Sequence, residues 1–353
     1  VLAWPMMSSY HHEGAAPTSL DTAAWFGVNA LFLMKSYSLF SFMFGVGFAY
    51  QMQSAERRGV AFSGRYWRRI VGLLAFGKMA SHEMTVASDL DFILLYDAVD
   101  GESDGAKPLS TNQYYTRLTQ RLVAAVTAPT AEGVLYEADM RLRPSGNAGP
   151  LATSLSGFAA YHRDNAWTWE HLALSRARVV LADDNFGFAI NDAINEIMSR
   201  PRDAAKAIDD VIAMRALMAK ERPARHDFDL KMAEGGLVDL EFIAQSGQLV
   251  AGKIIAMPQA GTAAVLARLG DTGLVPEGRR LAEIHHVYST VLQVMSSALV
   301  QPLKNEPWPD AFKELLAGLT HYPDFGRLEL DLADMRGEVA RIAAAWYDKA
   351  RTL

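Results

Sequence analysis

Gly77-Lys78-Met79-Ala80-Ser81-His82-Glu83-Met84-Thr85-Val86-Ala87-Ser88-Asp89-Leu90-Asp91-Phe92-Ile93-Leu94-Leu95-Tyr96 is the stretch on which the reading of this chain turns. The apolar run Ile70–Phe76 before it reads as a first strand. Gly77–Ser81 then reads as a turn of small residues, and the segment from Ala87 as a second strand. Alternate side chains of a strand share a face. Asp89 and Asp91 therefore point the same way, with Leu90 and Phe92 turned to the core. A second run, Tyr136-Glu137-Ala138-Asp139-Met140-Arg141-Leu142-Arg143-Pro144, reads as another strand. It sets Asp139, Arg141 and Arg143 on one face, with Met140 and Leu142 behind. If the two strands are neighbours, three carboxylates and two guanidiniums converge. That set is suited to two Mg²⁺ ions and a nucleoside triphosphate. An Asp-x-Asp pair alone also fits a solvated strand end or an Asx turn.

The bulk numbers bound the problem. The 353 residues allow two or three domains, and an apolar content of 50% supports real cores. A net charge of −6 argues against a nucleic-acid partner. With no cysteine there are no disulfides and no thiolate metal sites, which fits a reducing compartment. The histidine pairs His11-His12 and His285-His286 read as surface or packing residues, because adjacent side chains diverge in direction.

Composition changes near Gly77. From Ala23 to Tyr50 the only charged side chain is Lys35, and Arg57, Arg58, Arg65, Arg68 and Arg69 follow. An apolar run of about 20 residues spans a bilayer, and basic residues beyond it favour the cytoplasmic side. Residues 23–50 are thus a candidate membrane attachment; a buried helix of a soluble domain is the alternative. Lys35, Leu39–Phe48, Arg57-Arg58-Gly59 and Tyr66–Leu74 resemble a piece of an uncharacterised family of multi-pass bacterial membrane proteins, over about residues 20–76.

A small-residue turn followed by a carboxylate pair on the next strand is the plan of DNA-polymerase-β-type nucleotidyltransferases. Small residues let backbone N–H groups approach phosphates closely. A more specific resemblance covers about residues 77–350. Gly77-Lys78, Glu83-Met84-Thr85, Ala87–Asp91, Gln113-Tyr114-Tyr115, Tyr136–Gly146, Thr168-Trp169-Glu170-His171, Arg176-Ala177-Arg178 and Glu234–Gln245 are similar to glutamine synthetase adenylyltransferase. The wording resembles the C-terminal, adenylylating half of that bifunctional enzyme. The resemblance implies ATP as substrate, Mg²⁺ as cofactor, glutamine synthetase as partner, the PII signalling protein as regulator, and a cytoplasmic location for residues 77–353. It makes Asp89, Asp91 and Asp139 the expected catalytic and metal-binding residues. Gly77, Lys78, Ala80, Ser81, Ser88, Arg141 and Arg143 are the expected nucleotide-binding residues. Adenylyl removal with the same carboxylates, and an inactive or membrane-attached fusion, are the alternatives.

Two departures from the family stand out. Ala80 occupies a position where the family turn has glycine; if that position needs φ > 0, alanine costs about 1 kcal/mol. The family's own helix before the first strand is replaced by the apolar segment. After Pro150 the pattern turns helical, over Ala204–Lys220, Leu237–Val250, Arg279–Val300 and Asp331–Tyr347. The expected architecture is α+β: a hydrophobic segment (1–76), a polymerase-β-type nucleotidyltransferase domain (77–150) and an all-α helical bundle (151–353). Trp167 and Trp169 are expected in the core. Glu170 and His171 face the cleft or bond between helices. Lys231, Asp239 and Glu241 sit at a glycine-marked helix start that could bind an anion.

Overall fold

The computed structural model describes residues 70–353 except 87, 98–100, 104–106, 130–132, 135, 227, 252–259 and 299–307. The candidate membrane segment and the basic cluster after it lie outside the described residues. Among the described residues no helix is long and apolar enough to cross a membrane.

A small mixed sheet forms first along the chain. Strand β1 (Ile70–Ala75) runs into a single helical turn, α1 (Gly77–Ala80), and strand β2 (Leu90–Asp97) returns antiparallel to β1. Helix α2 (Thr111–Val126) follows, then a two-residue strand β3 (Ala138–Asp139) and strand β4 (Ala152–Ser154), both parallel to β2. Helices α3 (Leu155–Asp164) and α4 (Thr168–Leu174) lead to strand β5 (Arg178–Leu181), antiparallel to β1. Helix α5 (Asp184–Met198) closes this half. The strand order is β3-β2-β1-β5, with β4 also on β2.

The alternation expected of β2 is kept. Ile93 and Leu95 join Leu74, Phe158, Leu174, Phe186 and Ile190 in one core. Leu94 and Tyr96 join Tyr115 and Ala152 in another on the opposite face, where Tyr96 stacks on Tyr115 with ring centroids 4.2 Å apart. Asp91 has the parity of Ile93 and Leu95. It continues their face to the strand's start.

The second half is the expected helical bundle. It comprises α6 (Ala204–Glu221), α7 (Leu237–Ala251), α8 (Thr262–Asp271), α9 (Gly278–Ala298), α10 (Asp310–Leu319) and α11 (Phe325–Ala350). Helix α7 has twelve buried residues on all sides, including Asp239, Gln245 and Gln248. It is the bundle's central helix. Gly235 before it has φ +71, and a Cβ there would lie 1.9 Å from the carbonyl oxygen of Arg336, so only glycine fits.

Several expectations are corrected. The division at residue 150 falls inside the sheet, since β4 and β5 come later in sequence. Trp167 and Trp169 are exposed, at 71% and 43%; the short helix α4 turns its Glu170, Leu172 and Leu174 inward instead. Gly77–Ser81 is not an extended turn but one turn of helix. The left-handed residues there are Gly77 (φ +51) and His82 (φ 61), so Ala80 carries no such cost.

Gly72 marks where β1 meets α5. A Cβ there would approach the Ile190 side chain to 2.4 Å and Phe186 to 3.1 Å. Gly72→Val should therefore destabilise the protein by about 1–3 kcal/mol, the usual cost of overpacking a core. Chemical-denaturation midpoints of the two proteins would measure it.

Candidate active site

The β1–β2 register sets the site. Ala75 pairs with Phe92, and the Phe76 N–H donates to the Asp91 carbonyl at 2.8 Å. The chain then turns at Gly77, directly over the Asp91 side chain. A Cβ on Gly77 would sit 2.6 Å from Asp91 Oδ2. A glycine is thus required twice, for the backbone angle and for contact with the carboxylate.

On the other side, β3 brings Asp139 into register with Asp91. Leu90 N–H donates to the Glu137 carbonyl at 2.8 Å, holding the two strand starts together. Asp89 and Asp139 both line a cavity of about 650 Å³ with Glu137, Arg141, Asn147 and, from α2, Gln120. Such a volume is typical of small-ligand sites.

The electrostatics agree with this closeness. Burial pushes the Asp91 carboxyl up to about 6, and the negative charges of Asp139 and Asp89 push in the same direction. Asp139 goes the other way: hydrogen bonding from Arg141 holds its carboxyl below the usual range. Arg141 Nε lies 3.0 and 2.8 Å from the two carboxylate oxygens, Arg141 N donates to Oδ1 at 2.8 Å, and Nη2 closes on Oδ2. Among the described residues no three acidic or histidine side chains are drawn up as a finished metal site. Asp139 has satisfied its charge with the nearest guanidinium. The donor set nonetheless fits a hard divalent cation: oxygen ligands only, from Asp91 and Asp139 in register, with mutual repulsion that a cation would relieve.

The remaining expected residues divide. Lys78 is not among the residues lining the cavity; its ammonium pKa is lowered first by burial and then by the charge of Lys231, with Glu241 and Glu83 acting in the opposite direction. Ala80 is fully buried, and Ser81 Oγ lies 3.1 Å from the Gly77 carbonyl and 2.8 Å from Glu83 Oε2. Ser88 Oγ accepts from Thr85 N–H at 2.9 Å. Arg143 lines the cavity with Arg141 but leaves the strand pattern. The chain turns after Asp139, Arg143 is buried, and its guanidinium donates to the carbonyls of Met140 (2.8 Å) and Gly149 (3.3 Å). Asp239, at the glycine-marked helix start, accepts from Arg215 at 2.6 Å and from Gly235 N–H at 2.7 Å, a structural pairing rather than an anion site. Glu170 is buried within its own half, bound by Tyr161 Oη at 2.9 Å and Trp167 N–H at 2.8 Å, and His171 Nε2 meets the His162 carbonyl at 2.9 Å.

Residue-by-residue reading gave no role to Arg176, Arg178 or Glu83. Arg178 donates to the carbonyls of Ala80 (2.7 Å) and Met79 (3.0 Å), capping α1 from β5. Arg176 is buried between Glu83 (2.9 Å) and Glu241 (3.2 Å). Two arginines at strand spacing in an apolar stretch were the available signal.

Comparison with known proteins points to transferases of nucleotidyl groups. Residues 49–193 match the model of the glutamate-ammonia ligase adenylyltransferase family, and residues 184–297 that of GlnD PII-uridylyltransferase. A bifunctional glutamine synthetase adenylyltransferase/adenylyl-removing enzyme of Mesorhizobium japonicum is 44% identical over 292 residues, 81% of this chain and 29% of that protein. The protein of the same name from Brucella suis is 47% identical over 286 residues, 79% of this chain and 28% of its own length. The chain thus spans less than a third of these relatives. The family match begins at residue 49, so the change of composition at Gly77 lies inside it, while residues 20–48 lie outside both family matches.

Two outcomes follow from the geometry. Because the folded-state value of Asp91 lies near 6 and its ordinary value is 3.8, ionising it costs stability above pH 6, and the cost vanishes below about pH 4. Asp91→Asn should raise Tm at pH 8 and give a gain that shrinks steadily as pH falls from 6 to 4, read by thermal melts across pH. Gly77→Ala should lower stability by about 1 kcal/mol or more, from the left-handed angle and the displaced carboxylate together. Urea titration would show it.

Proposed function

We propose that this protein transfers AMP from ATP to a tyrosine of glutamine synthetase and so takes part in regulating nitrogen assimilation. The single observation that supports this best is Asp91, in register with Asp139 and pressed against the glycine of the adjoining turn. Homology to enzymes bearing the adenylyltransferase name supplies the substrate. Asp89, Asp91 and Asp139 are the residues that would hold Mg²⁺. When bound, Mg²⁺ neutralises charge on the triphosphate.

The protein's own groups do the rest. Gly77–Ser81 and Lys78 receive the triphosphate. Arg141 leaves Asp139 and offsets phosphate charge. Asp139 accepts the proton as the tyrosine Oη forms its bond to the α-phosphorus. The bond from that phosphorus to the oxygen bridging to the β-phosphate breaks, and pyrophosphate leaves with the electron pair. The catalytic unit takes in β4, β5 and α5 and ends near residue 198; the helical unit follows from residue 204. A cytoplasmic setting follows from such a substrate. Regulation by the PII signalling protein rests on family resemblance alone.

Incubation of the protein with glutamine synthetase and ATP labelled at the α-phosphate tests the reading. Label should appear on the synthetase, and a folded protein that transfers none would refute it. Asp89→Asn should reduce transfer by more than about 100-fold, since residues merely supporting metal ligands already cost 10–100-fold. A melting curve alongside would show the fold intact.

A further inference from the structure

Glu83 lies three residues past the end of α1, and its carboxylate gathers partners from nearby Ser81 and from distant parts of the chain. Ser81 Oγ is 2.8 Å away, Arg176 Nη2 donates at 2.9 Å from just before β5, and Thr262 N–H donates at 3.1 Å from the first residue of α8. Thr262 Oγ1 lies at 3.4 Å. His285 of α9 packs against the same group, Nε2 at 3.6 Å. Arg176 donates also to Ser81 Oγ at 2.8 Å and reaches Glu241 of the central helix α7 at 3.2 Å. Ser81 Oγ in turn reaches back to the Gly77 carbonyl at 3.1 Å. An unbroken chain of polar contacts therefore runs from the helical bundle to the glycine that touches Asp91.

We propose that Glu83 and Arg176 are positioning residues for nucleotidyl transfer, through which the helical bundle holds the Gly77–Ser81 turn in its triphosphate-binding shape. The inference rests on the function proposed above. Ser81 and Glu83 have no reason of local secondary structure to be tied to α8; the turn's own backbone bonds already close it, with Ser81 N–H on the Gly77 carbonyl at 3.2 Å and Glu83 N–H on the Lys78 carbonyl at 2.9 Å. What the added contacts supply is orientation relative to the rest of the molecule. A buried Arg176 held through both Nη groups by Glu83, Ser81 and Glu241 admits little freedom, and a reacting site displaced by 1 Å loses about 100-fold in rate. Gly261, the N-cap of α8, leaves just enough room: a Cβ there would lie 3.4 Å from the Ser81 carbonyl and 3.5 Å from Glu83 Oε1. The bundle is thus fitted to the turn, not merely beside it.

The test measures MgATP affinity and steady-state transfer on the full chain. Glu83→Gln and Arg176→Ala should each weaken MgATP binding about tenfold, raising KM for ATP more than they lower kcat, and Arg176→Lys should recover part of the loss. Trp346→Phe serves as the stability control. It removes a buried bond to Ser246 inside the bundle (2.8 Å) and should lower Tm while leaving ATP affinity within twofold. If Glu83→Gln and Arg176→Ala only lower Tm as Trp346→Phe does, with ATP affinity unchanged, the inference is overturned. If either fails to fold, Thr262→Pro decides. Proline is tolerated at the first helical position, Gly261 already has the extended angles a following proline needs, and both Thr262 contacts to Glu83, from N–H and Oγ1, are lost. ATP affinity should fall about threefold, and an unchanged affinity would overturn the inference. A wild-type chain that binds no MgATP refutes the proposed function itself, a result read without any variant.

Discussion

Across the β1–β2 ladder Ala75 pairs with Phe92, and two residues later Gly77 passes over the carboxylate of Asp91. Most of the site depends on that contact. The left-handed angle at Gly77 starts the helical turn α1. The turn buries Ala80 and aligns the carbonyls of Met79 and Ala80 toward Arg178. Any side chain at position 77 would separate the turn from the carboxylate. The parallel addition of β3 then sets Asp139 beside Asp91, so one strand edge and one turn define the site between them.

Charge balance connects this small sheet to the helices. Arg176 is 5% exposed, and a buried guanidinium persists only when its charge is compensated. Glu83 and Glu241 compensate it from opposite sides, one belonging to the loop after the turn and the other to α7. Within the carboxylate group the balance is of the opposite kind. Asp91 is crowded by Asp89 and Asp139, and Arg141 covers only Asp139. The joint between the two halves thus pairs a buried cation with two carboxylates, while in the open site Arg141 is bonded only to Asp139.

Much of this was legible along the chain. Period-two alternation holds within β2, where Asp91 has the parity of Ile93 and Leu95. Asp89 lies before the strand begins. Helical spacing located α6, α7, α9 and α11 to within a few residues at most ends, though α11 starts six residues earlier than expected. Other features were not legible, for identifiable reasons. Asp-x-Arg-x-Arg has strand spacing, yet the chain leaves the sheet after Asp139, and Arg143 turns in to bind the carbonyls of Met140 and Gly149. Trp167 and Trp169 are apolar enough for a core, but the inward face of α4 is already filled by Leu172 and Leu174, with Glu170 bonded beside them. Ala80 looked costly against a family glycine. It proved costless because the left-handed positions are its neighbours at 77 and 82.

By itself the sequence determined the chemistry available: oxygen ligands in a strand pattern, a turn of small residues, no thiols, and a long helical tail. These follow from local periodicity and side-chain type, which act over a few residues. Only the tertiary structure decided which charges meet. Glu83 lies 93 residues from Arg176 and 179 from Thr262. Contacts over such separations depend on how strands and helices stack, because a buried charge accepts whatever partner packing brings within reach. The pairing of Arg141 with Asp139 was decided in the same way, by where the chain turns after β3.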